Sequence, residues 1–170
     1  MFSKVSILII TIFTLFFVSS CSQAAEDSKT AANKAEMVKK VLTVYKNPSC
    51  GCCKKWISHI NMVGFETITH NRNDLSELKS DKGIAPRYRS CHTAVSKEGY
   101  IFEGHVPAKY VTKFLAEKPN DAIGLSVPGM PMGSPGMEMG DRFMPYQVLL
   151  LKKDGSSEVY AFVQSSKEQY

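Results

Sequence analysis

The chain has 170 residues, 44% of them apolar, which is enough for one domain with a hydrophobic core. Its net charge of +5 comes from lysines and arginines dispersed among acidic residues. No basic stripe with interleaved aromatics stands out, which argues against nucleic acid as a partner.

Met1–Ser20 reads as an export signal: Lys4 supplies the positive start, and Val5 to Val18 is an apolar run too short for a stable membrane anchor. The run ends in "VSSC", residues 18–21, which has the form of a lipoprotein signal with Cys21 as the acylated residue. A plain secretory signal cut after Ala24, with Ser22 and Ala24 as its small residues, is the other reading. Both place the mature chain outside the cytoplasm. Cleavage before Cys21 leaves 150 residues (170 − 20) and removes Lys4, so the net charge falls from +5 to +4. Residues 21–36 lack a large apolar side chain after Cys21 and form a flexible tether with a reach of about 20 Å. Residues 37–170 form the domain.

Along that domain, "VLTVY" (41–45) predicts a buried strand broken by Asn47 and Pro48. From Gly51, Trp56, Ile57, Ile60 and Met62 or Val63 recur at helical spacing, and Gly64 is the stop. "FETITH" (65–70) alternates as a second strand. "NDLSELKSDKG" (73–83) opens on a capping residue and ends on glycine, as a short helix should. "HTAVS" and "YIFEG" form a hairpin around "KEG". Pro107 opens a third helix with Val111, Phe114 and Leu115 on one face, and "YQVLLLKKDGSSEVYAFV" is a last hairpin turning at Asp154–Gly155. The order β-α-β-α-β-β-α plus a C-terminal hairpin predicts an α/β sandwich with a mixed sheet.

Three cysteines, Cys50, Cys52 and Cys53, sit where the first strand hands over to the first helix. As a redox motif, Cys50 would be the exposed nucleophile and Cys53 the resolving thiol, with the helix N-terminus, Lys54 and Lys55 favouring the thiolate. That chemistry leaves Cys52 without a role. As a metal motif all three act, because the same helix-end field stabilises several thiolates and a bound cation neutralises the rest. Thiolates are soft donors that select Cu(I) or zinc over magnesium, calcium or manganese. Structural zinc usually takes two well-separated Cys-x-x-Cys pairs, which a triplet and a distant single cysteine fit poorly.

The element order and Cys50-x-x-Cys53 resemble the thioredoxin and glutaredoxin superfamily. "YKNPSCGCCKKW", "SCHTA", "EGHVPA" and "VPGMPMGSPGME", in that order across residues 41–163, resemble more closely the CopG-like periplasmic copper-resistance proteins. That resemblance implies a thioredoxin-like fold and copper bound through cysteine sulfur in a periplasmic protein, which the signal at residues 18–21 would tether to a membrane by lipid. It also aligns Cys91 with the superfamily loop that approaches the cysteine motif, so that Cys50, Cys52, Cys53 and Cys91 complete a four-sulfur cluster. Several Cu(I) ions bridged by shared thiolates need sulfurs crowded in this way, so more than one copper per chain is expected.

The near-repeat "PGMPMG" and "PGMEMG" places Met130, Met132, Met137 and Met139 in a segment too rich in Gly and Pro for a helix or a central strand. In an extended stretch each Met-x-Met would present two thioethers together, and thioethers favour Cu(I). Met130 and Met137 are the candidate ligands; the alternative is that the methionines fill gaps under a long loop. His92 beside Cys91 and His105 in "EGH" are candidates for ligands or for hydrogen bonds to a thiolate. His59 and His70 are expected at the surface, and Arg87 and Arg89 are either solvated or offset thiolate charge.

The resulting expectation is copper tolerance by sequestration, transfer or redox cycling of Cu(I), with copper ions and other periplasmic copper-handling proteins as partners. The alternative is a thiol-disulfide oxidoreductase or isomerase of exported proteins acting through Cys50 and Cys53.

Overall fold

The computed structural model describes residues 40–170; the signal, Cys21, the whole tether and the first three residues of the domain lie outside them. Strand β1 (Lys40–Lys46) runs into helix α1 (Gly51–Met62), followed by β2 (Phe65–Asn71), α2 (Ser76–Asp81) and a 3-10 turn at Pro86–Tyr88. The chain continues through β3 (His92–Ser96), β4 (Ile101–Gly104), α3 (Ala108–Glu117) and β5 (Ala122–Val127). It closes with β6 (Tyr146–Lys152), β7 (Ser157–Val163) and a second 3-10 turn at Ser166–Gln169.

The seven strands form one mixed sheet in the order β2-β1-β3-β4-β5-β6-β7. Pairs β1–β2 and β4–β5 are parallel, and the other four are antiparallel. Both parallel pairs follow a helical crossover, α1 and α3, because a tight hairpin can join only antiparallel neighbours. The β1-α1-β2 unit followed by the β3-β4 hairpin and α3 is the thioredoxin-like arrangement, and β5, β6 and β7 extend its sheet.

One large core packs α1 and α3 on one sheet face through Trp56, Ile60, Val111 and Phe114 against strand residues such as Val44 and Phe102. Ile84, Tyr88, Ile101 and Leu151 form a smaller cluster, to which the segment between α2 and β3 contributes. Ile101 and Phe102 divide between the clusters because successive strand side chains point to opposite faces.

Several local expectations are corrected. Strand β5, central in the sheet, carries no alternation to announce it. Its Gly124 approaches Ile101 so closely that a Cβ there would run into the Ile101 backbone, and this lets the strand pair despite a glycine. Helix α2 starts at Ser76 and not at Asn73, and the side chain at its start is Asp74, whose Oδ1 accepts the Ser76 N–H at 2.8 Å. Met62 and Val63 are 77% and 55% exposed, so the buried face of α1 ends at Ile60. Among the described residues no helix is long and apolar enough to cross a membrane.

Candidate metal centre

Asn47 and Pro48 end β1, and Asn47 then organises the turn: its Oδ1 accepts from Ser49 N and Oγ, at 2.9 and 2.6 Å. Cys50 follows as the N-cap of α1, and its Sγ accepts the Cys53 N–H at 3.3 Å. A sulfur thus takes the place that a Ser or Asp oxygen usually fills, directly in the positive field of the helix end. Cys53 is buried; Cys50 and Cys52 are partly exposed.

Cys50 and Cys53 are joined as a disulfide, with Cα atoms 5.4 Å apart, while Cys52 and Cys91 are free. The expected set of four free thiols is therefore seen with two of its members paired, in the pairing the redox reading requires. Cys52 Sγ lies 3.5 Å from Cys50 Sγ. All four Sγ atoms fall within 4.8 Å of one another, so strand β3 does deliver Cys91 to the triplet across 38 residues of sequence.

Cys91 sits between two imidazoles. Its Sγ is 3.0 Å from His105 Nε2 and 3.3 Å from His92 Nδ1. Burial, followed by the neighbouring Cys52, pushes its thiol up to about 12. Burial likewise lowers both histidines. For His92 the charges of His105, Lys79 and Lys46 add to the effect and take it well below its ordinary range; for His105 the Pro135 carbonyl and Glu138 oppose it. Both rings are therefore neutral at pH 7, the form that binds metal. His105 Nδ1 donates to the Pro135 carbonyl at 2.7 Å, which leaves Nε2 with its lone pair toward Cys91.

Beneath Cys91 lies a buried polar network with no counterpart in the sequence reading. Lys79 and Glu103, both almost fully buried, form an ion pair. Glu103 also accepts from Ser90 N at 2.6 Å and Thr93 Oγ1 at 2.6 Å, while Lys79 Nζ donates to Ser90 O at 2.9 Å. The residue before Cys91 is thereby gripped at both backbone polar groups. An acid in the apolar run "YIFEG" was the available signal, because a strand buries a carboxylate only against a partner.

The Met-rich segment 128–145 is a strap over this centre. It is a series of turns and not an extended stretch: Ser134 N bonds Pro131 O, Met137 N bonds Ser134 O, and Gly133 N bonds Met137 O. Each Met-x-Met is consequently split between environments, with Met130 and Met139 exposed and Met132 and Met137 half-buried. At one end Ser90 Oγ donates to Gly129 O, placing Met130 next to a residue bound to the Cys91 segment. At the other, Gly136 lies on α1 so closely that a Cβ would sit 2.7 Å from Cys52 O and 2.8 Å from Trp56 N. Gln169, fully buried, donates to Gly133 O and accepts from Tyr146 OH, so the chain's last turn fastens the strap.

Other assignments change. His59 is buried, and its Nε2 accepts the Ala108 N–H at 3.0 Å, capping α3. His70 is exposed as expected and stacks on Tyr45. Arg87 and Arg89 are not merely solvated: they donate to Gly155 O and to Ile84 O and Ser80 Oγ, away from the sulfurs.

A family model described as "Protein of unknown function, DUF411" matches residues 88–137, from Tyr88 through Cys91, His92 and His105 to Met137. No curated protein matches the chain. Two solved structures do. One, titled "Copper resistance protein copG- Form 2", is 42% identical, with a TM-score of 0.70, over 74% of this chain and 99% of its own. The other, "Copper resistance protein copG- Form 1", is 43% identical, with a TM-score of 0.69, over 74% of this chain and 98% of its own.

Proposed function

Since the chain belongs to a CopG-like family of copper-resistance proteins, we propose that it handles copper by holding Cu(I) ions, more than one per chain, between the thiolates of Cys50, Cys52, Cys53 and Cys91. The observation that carries this is the convergence of four sulfurs within 4.8 Å at a helix N-terminus. Sulfur donors of this softness fit Cu(I), and their closeness suits ions bridged by shared thiolates better than one ion served by four ligands. Reduction of the Cys50–Cys53 disulfide supplies the two missing thiolates. The helix end favours the negative charge that the cluster carries. Met130 and Met137, carried on the strap, are the thioether donors in this reading, suited to passing Cu(I) in or out.

The test is anaerobic Cu(I) titration of the reduced protein, followed by thiolate-to-metal absorption in the ultraviolet. More than one copper per chain is expected. Saturation at one copper, or preference for zinc in competition, overturns the cluster.

The paired Cys50 and Cys53 favour a second reading, a thiol-disulfide oxidoreductase with Cys50 as nucleophile. Cys52→Ser separates the two: an oxidoreductase keeps its activity, whereas a copper cluster loses stoichiometry, and Cys91→Ser loses it too. We expect both variants to lose the polynuclear site with the fold retained. Unchanged copper loading in either variant, or strong insulin reduction by Cys52→Ser, would decide for the oxidoreductase.

Export and a lipid anchor on Cys21 complete the proposal, placing the centre in the periplasm beside a membrane. Cys21→Ser is expected to release the protein from membranes on fractionation while its copper loading stays unchanged.

A further inference from the structure

The two edges of the sheet differ in chemistry. β2 closes one edge with mostly polar exposed residues, and Ile68 is its one exposed large apolar side chain. β7 closes the other with Ser157–Val163, seven residues that include no Lys, Arg or Pro, the residues with which edge strands commonly block pairing to another chain. Val159 and Phe162 are 54% and 50% exposed on it.

An irregularity in β7 sets these two side chains on one face. Val148 pairs with Ala161 and Leu149 with Val159, so Tyr160 is an extra residue opposite a single step of β6. Tyr160 and Ala161 both pack against the main core, on the face that α1 and α3 cover. Val159 and Phe162, paired with Leu149 and Gln147, share the other face. On that face Ile84 and Tyr88 lie over Ile101 and Leu151, with Leu149 at the border of the cluster. Val159 and Phe162 continue its apolar surface out to the open strand edge.

We propose that this edge is the docking surface for a second copy of the chain, with β7 pairing antiparallel to β7 across a two-fold axis between Tyr160 and Ala161. Val159 then faces the second copy's Phe162, a favourable β-branched and aromatic cross-strand pair, and the bulky Tyr160 falls opposite the small Ala161. This register sets like face against like face along the bulged strand; a shift of one residue either way opposes side chains of different faces. Antiparallel pairing also brings the Asp154 end of each strand alongside the Lys167 end of the other, so opposite charges meet at both ends. Residues 22–36 carry no large apolar side chain and so offer no competing cover from the same chain. The two-fold axis uses both β7 edges at once, which closes the assembly at two copies. One strand and two large exposed side chains per copy make a small contact, of the class below about 1,200 Å² in total, so assembly should rise with concentration.

This surface lies four strands from β1 and is independent of the metal centre. The test uses residues 21–170 with Cys21→Ser, which removes association through lipid, in a reductant that prevents intermolecular disulfides. Light scattering after size-exclusion chromatography should give the mass of one chain when dilute and approach two chains at about 100 µM, where a micromolar contact is mostly assembled. Hydrogen exchange along 157–163 should slow by about tenfold between those limits, with β2 unchanged. Val159→Lys/Phe162→Lys sets lysine against lysine at both pairs and should leave single chains; Val159→Lys/Phe162→Glu sets lysine against glutamate and should restore the dimer. Circular dichroism checks the fold of both variants. A parent that stays single or grows past two chains overturns the proposal, as does a dimer that survives the paired lysines or fails to return with the glutamate. Should the variants fail to fold, exchange in the parent decides: equal rates along 157–163 at both concentrations overturn the pairing.

Discussion

Cys50 and Cys91 reach the same centre by opposite means. Cys50 is held by its own neighbourhood: a turn organised by Asn47, a helix starting at Gly51, and a hydrogen bond from the Cys53 N–H. Cys91 is held by distant side chains. Lys79, Glu103 and Thr93 fix the segment that carries it, and the strap bears on its histidine through Pro135. A local motif can place donors on a helix end with backbone alone, but a donor on the facing strand depends on contacts assembled by the whole fold. Perturbations remote in sequence should therefore disturb the Cys91 side while leaving the helix side unchanged.

The largest effect is expected from Lys79→Met, which strands the Glu103 carboxylate in the core. Burial already raises the Glu103 pKa even with Lys79 beside it. Breaking a buried pair by removing one partner costs about 3–5 kcal/mol, whereas replacing both with apolar groups is often close to neutral. Urea denaturation should show that loss for Lys79→Met and most of it regained in Lys79→Met/Glu103→Leu. Peptide mapping of the single variant should still find Cys50 paired with Cys53. A loss below about 1 kcal/mol, the range of a surface pair, would mean that the network does not hold the Cys91 side together.

A smaller effect is expected where the strap meets α1. Gly136 has φ +89 and no room for a Cβ against Cys52 O, so Gly136→Ala must lift the strap and pull Pro135 from His105. Overpacking of this kind costs about 1–3 kcal/mol. Hydrogen exchange should speed up along 133–137 and not along α1. Equal acceleration in both would show that the strap and the helix are one unit and that the comparison drawn above is false.

The division between local and distant also explains what the sequence made legible. The helix side could be read directly: strand, breaker, cysteine triplet and apolar spacing all lie within residues 41–60. Cys91 was placed through family resemblance, since nothing in its own neighbours says which strand it will face. Lys79 and Glu103 are 24 residues apart with no periodicity linking them. Strand β5 was missed because a strand buried on both faces does not alternate, and Gly124 weakened what signal remained. The strap read as extended because its composition excludes regular elements without specifying which turns replace them.

His59 offers the finest test, because it lies on α1 yet serves α3. Its Nε2 accepts the Ala108 N–H, a role open only to the neutral ring. Burial, opposed by Glu138, lowers its pKa from the ordinary imidazole value of about 6.5. The sign follows from linkage. As pH falls through the unfolded value, the unfolded chain takes up a proton that the native chain refuses, so stability drops. The contribution of the buried neutral ring is complete above that value and is lost as pH falls through the lower, folded value. His92 and His105 add slopes of the same sign, so only a difference isolates His59. His59→Gln keeps an acceptor for Ala108 but cannot titrate. Urea midpoints measured between about pH 7.5 and about pH 5 should fall less steeply for the variant than for the parent. Parallel profiles would show that His59 contributes no pH dependence and that the cap on α3 is indifferent to its charge.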